Sequence, residues 1–436
     1  AEYSGLIKAL IRMIVLSALK LQPQTLENSS KFTYPFKQLI SKLLQPRILV
    51  TASIVFSGVI SNTASELGYV VLVPLGAVVF NSLGRHPLAG MAAAFAGVSG
   101  GYSANLFLGT IDPLLAGLTQ EAARLIDPEY VVHAAVNYYF MVPSVFIITF
   151  MGTIATLKIV EPSLGPYDPS LASVDISHEE GLEPISSKEK KGLFWAFVIF
   201  LLFSGVLALG VFSENGFLRN PQATDFPANI RPFLKGIVSF IFVGFILPSI
   251  AYGKVVGTIK NDKDVIDGMA KAMSTLGLYI VIVFFASQFV AYFGWTNLGQ
   301  IMAITGANIL TELNMTGPLI FVAFIFVSGF VNLMLGSASA QWAVTAPIFI
   351  PMLMLIGYSP EVTQAAYRIG DSVTNIITPM MSYFGLILAF AEKYVKNIGI
   401  GTIISMMLPY SLLFFLGWMG LFYLMIFGLG LPPGPG

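Results

Sequence analysis

The chain consists of apolar runs separated by short polar stretches, and the positions of these stretches predict its elements. Most runs have about 20 residues, the length with which a helix crosses the hydrocarbon core of a bilayer. Two runs carry small and polar residues near their middle, at 61–69 (SNTASELGY) and 336–342 (GSASAQW). Such groups are costly at membrane depth unless they line a cavity or bind something. Each run therefore predicts a re-entrant helical hairpin with a polar tip.

A second interrupted run follows each hairpin and predicts a broken helix. The first has its polar residues at 101–105 (GYSAN) and ends at Asp112-Pro113, and the second has them at 370–375 (GDSVTN) and ends at Pro379. Pro74 and Pro87 in the first unit match Pro351 and Pro360 in the second at a nearly constant offset. We therefore predict two repeats, 46–125 and 317–392, each a hairpin followed by a broken helix, as in many secondary transporters.

Lysine and arginine positions predict that the two repeats are inverted. Basic residues flank the first hairpin on both sides, whereas none occurs between Ala272 and Tyr367. By the positive-inside rule, the first hairpin opens to the cytoplasm and the second to the outside. The other predicted regions are a partial N-terminal span with a cytoplasmic connection (1–45), connecting spans that form a scaffold and dimerisation region (126–316), and a C-terminal span (393–436). Within 126–316 we expect a solvated linker at 158–192 and an amphipathic helix within 294–317.

Composition supports an all-α membrane protein of several spans. The sequence is 56% hydrophobic and 11% charged, about half the charged fraction of soluble domains. The net charge is zero, so nucleic acid is not an expected partner, and the lipid bilayer is. With no cysteine and only three scattered histidines, we expect no zinc site and no cofactor. Because the chain starts with Ala1 and runs straight into an apolar stretch, we expect further membrane spans upstream.

Two aspartates in apolar runs are the strongest candidates for chemistry. Asp371 lies three residues after Arg368, on the same helical face, so the two side chains are natural partners. An acid at membrane depth favours a functional role, and the alternative is a structural ion pair near a helix end. Asp112 precedes Pro113, which suits either a proton or cation site at a helix break or a helix N-cap.

Neutral polar residues at the tips and breaks form the rest of the predicted site. Their oxygens suit Na⁺ and their amides suit a carboxylate, although small hydroxyl residues also help helices pack in membranes. Trp342 is placed to stack on a flat aromatic substrate or to lie in the interfacial belt. The neutral candidates are Ser61, Asn62, Thr63, Asn105, Ser337, Ser339 and Asn375, and a sodium ion is possible at Ser61, Asn62, Thr63 and Asn375.

Several long motifs resemble the p-aminobenzoyl-glutamate transporter (AbgT) family. They are SNTAS with GYVV (61–65 and 68–71), GRHPLAG (84–90), AFAGVSGG (94–101), DPLLAG (112–117) and YRIGDS (367–372) with Asn375 and Thr378-Pro379. The resemblance covers nearly the whole chain. The Ser-Asn-Thr tip is also similar to that of dicarboxylate/sodium symporters, which share the hairpin-containing fold.

The family resemblance implies a homodimer in the bacterial inner membrane, with a cytoplasm-facing basin, nine spans and two hairpins, of which this chain lacks about the first span and part of the second. It implies H⁺- or Na⁺-coupled transport of p-aminobenzoyl-glutamate, a small aromatic carboxylate, and export of sulfonamide antimetabolites by some members. The family's important positions fall on Asp112, Ser339, Trp342, Pro360, Arg368, Asp371 and Pro379. Pro113, Pro360 and Pro379 are expected at helix breaks.

Three alternatives remain open at this point. A sodium-coupled dicarboxylate symporter would have the same fold. An intramembrane aspartyl protease would use the two aspartates, but its Gly-x-Gly-Asp signature is replaced here by Arg-Ile-Gly-Asp at 368–371. A channel would need no coupling acids.

Overall fold

The computed structural model describes residues 3–20, 45–64, 68–109, 111–173, 184–213, 216–220, 222, 229–274 and 277–435. In these ranges the regular structure is helical. The helices are α1 Leu6–Lys20, α2 Pro46–Ser61, α3 Gly68–Ser82, α4 Pro87–Gly100, α5 Ile111–Ala123, α6 Tyr138–Leu164, α7 Ser187–Phe212, α8 Arg231–Val256, α9 Asp262–Ser274, α10 Gly277–Trp295, α11 Leu298–Glu312, α12 Ile320–Leu335, α13 Ala338–Leu355, α14 Pro360–Asn375, α15 Phe384–Tyr394 and α16 Ile400–Gly428.

Helices α2 and α3 form the first hairpin, hairpin 1, because the chain returns to where it started. The Arg85 guanidinium, just beyond α3, donates hydrogen bonds of 3.1 Å to the Thr51 hydroxyl in the first turns of α2. The turn at the other end is a short 3₁₀ segment, Asn62–Ala64, directly after α2. The polar residues at 61–64 thus interrupt the helix where the sequence predicted a tip.

Helices α12 and α13 form the second hairpin, hairpin 2, in the same way. The rings of Phe321 and Tyr358, at its two ends, are 4.8 Å apart, and the Tyr358 hydroxyl donates to the Thr316 carbonyl at 2.9 Å. Gly336 makes the turn with a φ of +59°, a left-handed conformation that favours glycine.

A broken helix follows each hairpin. The first consists of α4 and α5 with break 1 at 101–109, and the second consists of α14 and α15 with break 2 at 376–383. Pro87 and Pro360 both stand at the start of the first half, where a missing N–H costs nothing. Pro113 lies in the first turn of α5 and Pro379 lies in break 2. Each pair of helices is thus followed by a helix with one interruption.

Close backbone contact holds hairpin 1 against its own broken helix. Helix α3 packs on α4 at Gly76 and Gly90, where a Cβ on Gly90 would lie 2.1 Å from the Gly76 carbonyl oxygen. Only glycine permits this approach. The first arms pack along the broken helices too: α2 contacts α4, where a Cβ on Gly58 would lie 2.8 Å from the Gly97 backbone, and α12 contacts α14.

Five helices among the described residues are long and apolar enough to cross a membrane: Tyr138–Leu164, Ser187–Phe212, Ser239–Val256, Ala338–Leu355 and Ile400–Gly428. Both arms of hairpin 1, the first arm of hairpin 2 and α4 are apolar but shorter. Their lengths fit hairpin arms and half-helices better than complete spans.

One detail of the sequence interpretation changes, and another is confirmed. The predicted linker at 158–192 is wrong at both ends, because α6 continues to Leu164 and α7 begins at Ser187. Between them, the Ser173 N–H donates to the carbonyl of Lys393 in the last turn of α15, and the Leu171 carbonyl accepts from the N–H of Lys396 just after it. The predicted helix within 294–317 is present as α11, which packs against α13 of hairpin 2. The connection at 21–44 lies outside the described residues.

Candidate functional site

A buried ion pair joins the two repeats. Asp112 on α5 accepts a charge-assisted hydrogen bond from the guanidinium of Arg368 on α14, and each side chain is 1% exposed. The other Asp112 oxygen accepts a hydrogen bond of 2.6 Å from the Gly109 backbone N–H in break 1. The sequence interpretation paired Arg368 with Asp371, and this is wrong. Packing of α14 against α5 pairs Arg368 with Asp112, 256 residues away in the sequence, and not with Asp371 on the next turn of its own helix.

Break 1 gathers polar groups around Asp112. A Cβ on Gly109 would lie 3.4 Å from the Asn62 carbonyl oxygen, 3.7 Å from Asp112 Oδ2 and 3.8 Å from Asn105 Nδ2. Asn62 donates to the Gly101 carbonyl at 3.3 Å, which ties the hairpin tip to the break. Ser61 lies beside this group, but its hydroxyl donates back to the Gly58 carbonyl at 2.6 Å.

Several buried polar atoms at the tip of hairpin 1 and in break 1 have no hydrogen-bond partner. They are Asn62 Oδ1, Thr63 Oγ1 and both polar side-chain atoms of Asn105. Buried polar groups are normally paired, so an unpaired cluster is a place where a ligand or ion supplies the missing contacts. Three of these atoms are oxygens, and the Asp112 carboxylate adds further oxygen atoms nearby. Oxygen is the ligand type that Na⁺ prefers.

Repeat 2 has a corresponding polar group on α12 and α14. Asn332 Nδ2 donates to the Asp371 carbonyl at 2.9 Å and to Asn375 Oδ1 at 2.8 Å. Asn375 in turn donates to Asp371 Oδ2 at 3.4 Å. Asp371 Oδ1 and the hydroxyl of Ser372 are buried without a partner. The hydrogen-bond partners of Asn375 thus lie in repeat 2, whereas the sequence interpretation had grouped it with Ser61–Thr63.

Trp342 is enclosed rather than open to a substrate. Its side chain is 0% exposed and stacks on Tyr367 with ring centroids 4.2 Å apart. Its indole N–H donates to the Thr119 hydroxyl at 2.9 Å. In this conformation the predicted stacking surface is occupied by a residue of the protein itself, and Trp342 does not lie in an interfacial belt either.

The tip of hairpin 2 holds the remaining predicted residues. Ser337 and Ser339 are half-buried next to Gly336, and Gly336 packs against the backbone of Met380 in break 2. A Cβ on Gly336 would lie 2.8 Å from that backbone. Each hairpin tip therefore rests on the break of its own repeat.

Sequence analysis missed four buried residues that complete the site: Thr119, Asn332, Gln364 and Tyr367. A signal for Asn332 was available, since it is the one amide in the otherwise apolar run of α12. Gln364 also had one, because it lies one turn before Arg368 on α14. Among the described residues, no three His, Asp or Glu side chains cluster as metal ligands do.

Several helices long and apolar enough to cross a membrane, with a buried charge pair between them, are typical of a helical membrane transporter of several spans. Comparison with known sequences then gives the family. The family described as "AbgT putative transporter family" matches residues 13–436, and the chain belongs to this family.

Three similar proteins support this assignment. The p-aminobenzoyl-glutamate transport protein of Escherichia coli K12 is 38% identical over 384 residues, which cover 88% of this chain and 73% of that protein. The solved structure of Neisseria gonorrhoeae MtrF, described as illuminating a class of antimetabolite efflux pumps, is 55% identical with a TM-score of 0.85, covering 100% of this chain and 80% of MtrF. The Alcanivorax borkumensis YdaH transporter, described as having an unusual topology, is 39% identical with a TM-score of 0.81, covering 99% and 85%. The chain is thus a transporter and not an enzyme, and the protease alternative has no support.

Proposed function

We propose that this protein is an ion-coupled secondary transporter of p-aminobenzoyl-glutamate and related aromatic amides, and that it also exports sulfonamide antimetabolites. It works as a homodimer in the bacterial inner membrane. The observation that carries the proposal is the buried Asp112–Arg368 pair between two repeats, with Asp371 one turn from Arg368 and one of its oxygens unpaired. Charged groups at membrane depth are retained mainly for ion or substrate pathways.

Arg368 supplies a binding group for the glutamate portion of the substrate. Its Nη2 is used by Asp112, while its Nε and Nη1 are buried without a partner. A guanidinium is suited to a carboxylate, and either Nε or Nη1 can donate a charge-assisted hydrogen bond to one. The unpaired amide of Asn105 in break 1 adds a neutral donor for a carbonyl or amide of the substrate.

The two aspartates have different roles in this proposal. Asp112 is the fixed counter-ion, because Arg368 and the Gly109 N–H both donate hydrogen bonds to its carboxylate oxygens. Asp371 carries the proton, because its free oxygen has no protein partner to replace. If Na⁺ is the coupling ion instead, break 1 holds it through Asn62, Thr63, Asn105 and Asp112.

Alternating access follows from the arrangement of the two repeats. Hairpin 1 and hairpin 2 are re-entrant and open to opposite sides of the membrane, as the distribution of basic residues predicts. Each tip covers its own break, so movement of one tip exposes the shared ion pair to one side only. A sodium-coupled dicarboxylate symporter would use the same geometry, and substrate competition separates the two.

Flux measurements in proteoliposomes test the proposal. Radiolabelled p-aminobenzoyl-glutamate is followed under an imposed proton gradient and, separately, an imposed sodium gradient. We expect proton-driven flux in the unmodified protein, its loss in Asp371→Asn, and its retention in the control Glu121→Gln, whose carboxylate is 56% exposed and pairs only with Arg124 at 3.4 Å.

Three results would count against it. Flux in Asp371→Asn equal to that of the unmodified protein would remove the proton role of Asp371. Flux driven by a sodium gradient alone would show that the coupling ion is Na⁺ bound at break 1, and not a proton on Asp371. Succinate competing as well as p-aminobenzoyl-glutamate would favour the dicarboxylate symporter.

A further inference from the structure

A second buried contact joins the two repeats, apart from the ion pair. The Trp342 indole N–H donates to Thr119 Oγ1 at 2.9 Å, and the Thr119 hydroxyl donates to Gln364 Oε1 at 2.6 Å. The three side chains are 0% exposed. They come from hairpin 2, from α5 of repeat 1 and from α14 of repeat 2, so one threonine hydroxyl connects three helices.

The spacing of these residues places the contact beside the ion pair. Thr119 follows Asp112 by seven residues, two turns along α5, and Gln364 precedes Arg368 by four residues, one turn along α14. Helices α5 and α14 therefore run in opposite directions and are joined twice, by Asp112–Arg368 and by Thr119–Gln364. Trp342 attaches hairpin 2 to the second junction.

The chemistry of the contact requires a hydroxyl at position 119. An indole N–H can only donate, so the threonine oxygen must accept from it, and the threonine hydrogen is then free for Gln364. Tyr367 holds the indole from the other direction by stacking on it and by donating from its own hydroxyl to the Ala338 carbonyl at 2.5 Å. Gln364 Nε2 and Gln341 Oε1 remain buried without partners on either side of Trp342. A buried polar atom without a partner is unfavourable, which marks this arrangement as one that another conformation can improve.

We propose that Thr119 and Gln364 are positioning residues that latch hairpin 2, through Trp342, to the helix that carries Asp112. Opening of hairpin 2 then requires release of this latch, next to the ion pair, so that access from one side is linked to the state of the site. Trp342 acts as the connection between tip and latch and not as a stacking surface for substrate. The consequence for transport rests on the proposed function, whereas the latch itself is a property of the fold.

The absence of cysteine from the sequence makes the latch measurable. Leu335 lies at the end of α12 beside the tip and is 45% exposed. The rate at which a single cysteine at this position reacts with a maleimide reports the opening of hairpin 2. A single cysteine at Val70, 53% exposed in α3, reports hairpin 1. Thr119→Val removes the hydroxyl but keeps the shape, Thr119→Ser keeps the hydroxyl, and Gln364→Met removes the amide. All rates are measured on the purified, detergent-solubilised chain.

Gln364→Met loses one buried hydrogen bond and Thr119→Val loses two, so the open population, and with it the reaction rate at Leu335→Cys, should rise about fivefold or more. We expect this rise with Thr119→Val and with Gln364→Met, no change with Thr119→Ser, and no change at Val70→Cys in any background. An unchanged rate at Leu335→Cys in both disrupting variants would overturn the latch. An equal rise at both cysteines would also overturn it, since that indicates general loosening.

Gln364→Met covers the case in which Thr119→Val does not fold, and addition of substrate separates failure of the latch from failure of the proposed function. If Thr119→Val does not fold, Gln364→Met against Thr119→Ser decides the question. Addition of p-aminobenzoyl-glutamate should slow labelling at Leu335→Cys in the unmodified background. If it has no effect while Thr119→Val still raises the rate, the proposed substrate fails and the latch stands.

Discussion

The two hairpins have the same plan but are fastened at their bases by different chemistry. At hairpin 1, the carboxylate of Glu161 at the end of α6 binds Arg85 at 2.6 Å and Arg47 at 3.1 Å, one residue from each end of the hairpin. At hairpin 2, the corresponding contacts are the Phe321–Tyr358 ring pair and one hydrogen bond from Tyr358. One base is closed by charge and the other by aromatic packing.

The difference follows from where the membrane allows charge. The base of hairpin 1 lies among basic residues, while the sequence around hairpin 2 has no lysine or arginine between Ala272 and Tyr367. An ion-paired base is therefore available to one hairpin only. Arg85 is also held by a cation–π contact over Phe80, with its guanidinium carbon 3.6 Å from the ring centroid. Hairpin 1 is thus more firmly anchored to the scaffold helix α6, and hairpin 2 depends more on its tip and its latch.

The largest effect is expected where the two repeats meet. Asp112→Asn keeps the shape of the side chain but leaves Arg368 buried without a counter-charge. Breaking one partner of a buried pair costs about 3–5 kcal/mol, so the variant should lose thermal stability in detergent and should not transport. The measurement is the unfolding midpoint together with flux in proteoliposomes.

Removal of both charges separates stability from function. The double variant Asp112→Leu with Arg368→Met should recover most of the lost stability, because neither charge is then buried alone, and it should remain inactive. A double variant as unstable as Asp112→Asn would show that the pair is not the source of the loss.

The next largest effect tests the charged base of hairpin 1. Glu161→Gln leaves Arg85, whose side chain is only 10% exposed, without its carboxylate. We expect a loss of about 2–3 kcal/mol, below the figure for a fully buried pair. Arg47→Ala is the matched control: the Arg47 side chain is 58% exposed, so its removal should cost less than about 1 kcal/mol. Equal losses in the two variants, measured as unfolding midpoints, would argue against Arg85 as the anchored partner.

The order of helices could be predicted from sequence because it depends on local signals. Apolar length, polar interruptions and prolines at helix starts mark the arms, tips and breaks, and the structure has helices in those places. Basic residues at both ends of hairpin 1 also predicted that its two ends lie on the same side of the membrane, and in the structure Arg47 and Arg85 both contact Glu161.

The partners inside the site could not be predicted, because they depend on packing between distant helices. Arg368 has a carboxylate one turn away, yet its partner is Asp112 on a helix of the other repeat. Trp342 has an apolar face that suits a ligand, yet Tyr367 covers it. Glu161 lies in a segment whose local composition resembles a linker, and only the return of hairpin 1 to the end of α6 buries it.

A third prediction compares glycines with positive φ in the two hairpin units. Gly336 at the tip of hairpin 2 has a φ of +59° and lies against the Met380 backbone, while Gly84 after hairpin 1 has a φ of +66° and nothing within 4 Å of a Cβ. Gly336→Ala should cost about 2 kcal/mol through conformation and contact together, and Gly84→Ala about 1 kcal/mol through conformation alone. Gly336→Ala should also raise maleimide labelling at Leu335→Cys, whereas Gly84→Ala should not. The opposite order of stabilities would show that the tip of hairpin 2 moves away from break 2 without cost.

The smallest effect is expected at the aromatic base of hairpin 2. Tyr358→Phe keeps the ring contact with Phe321 and removes only the hydrogen bond to the Thr316 carbonyl, which lies near solvent. The cost should be about 1 kcal/mol or less, well below that of Glu161→Gln, and transport should be retained. Tyr358→Ala, which removes the ring as well, should cost more than Tyr358→Phe if packing closes this base. A loss in Tyr358→Phe as large as that in Glu161→Gln would mean that a single polar contact, and not aromatic packing, holds hairpin 2, and the contrast between the two bases would then be one of charge alone.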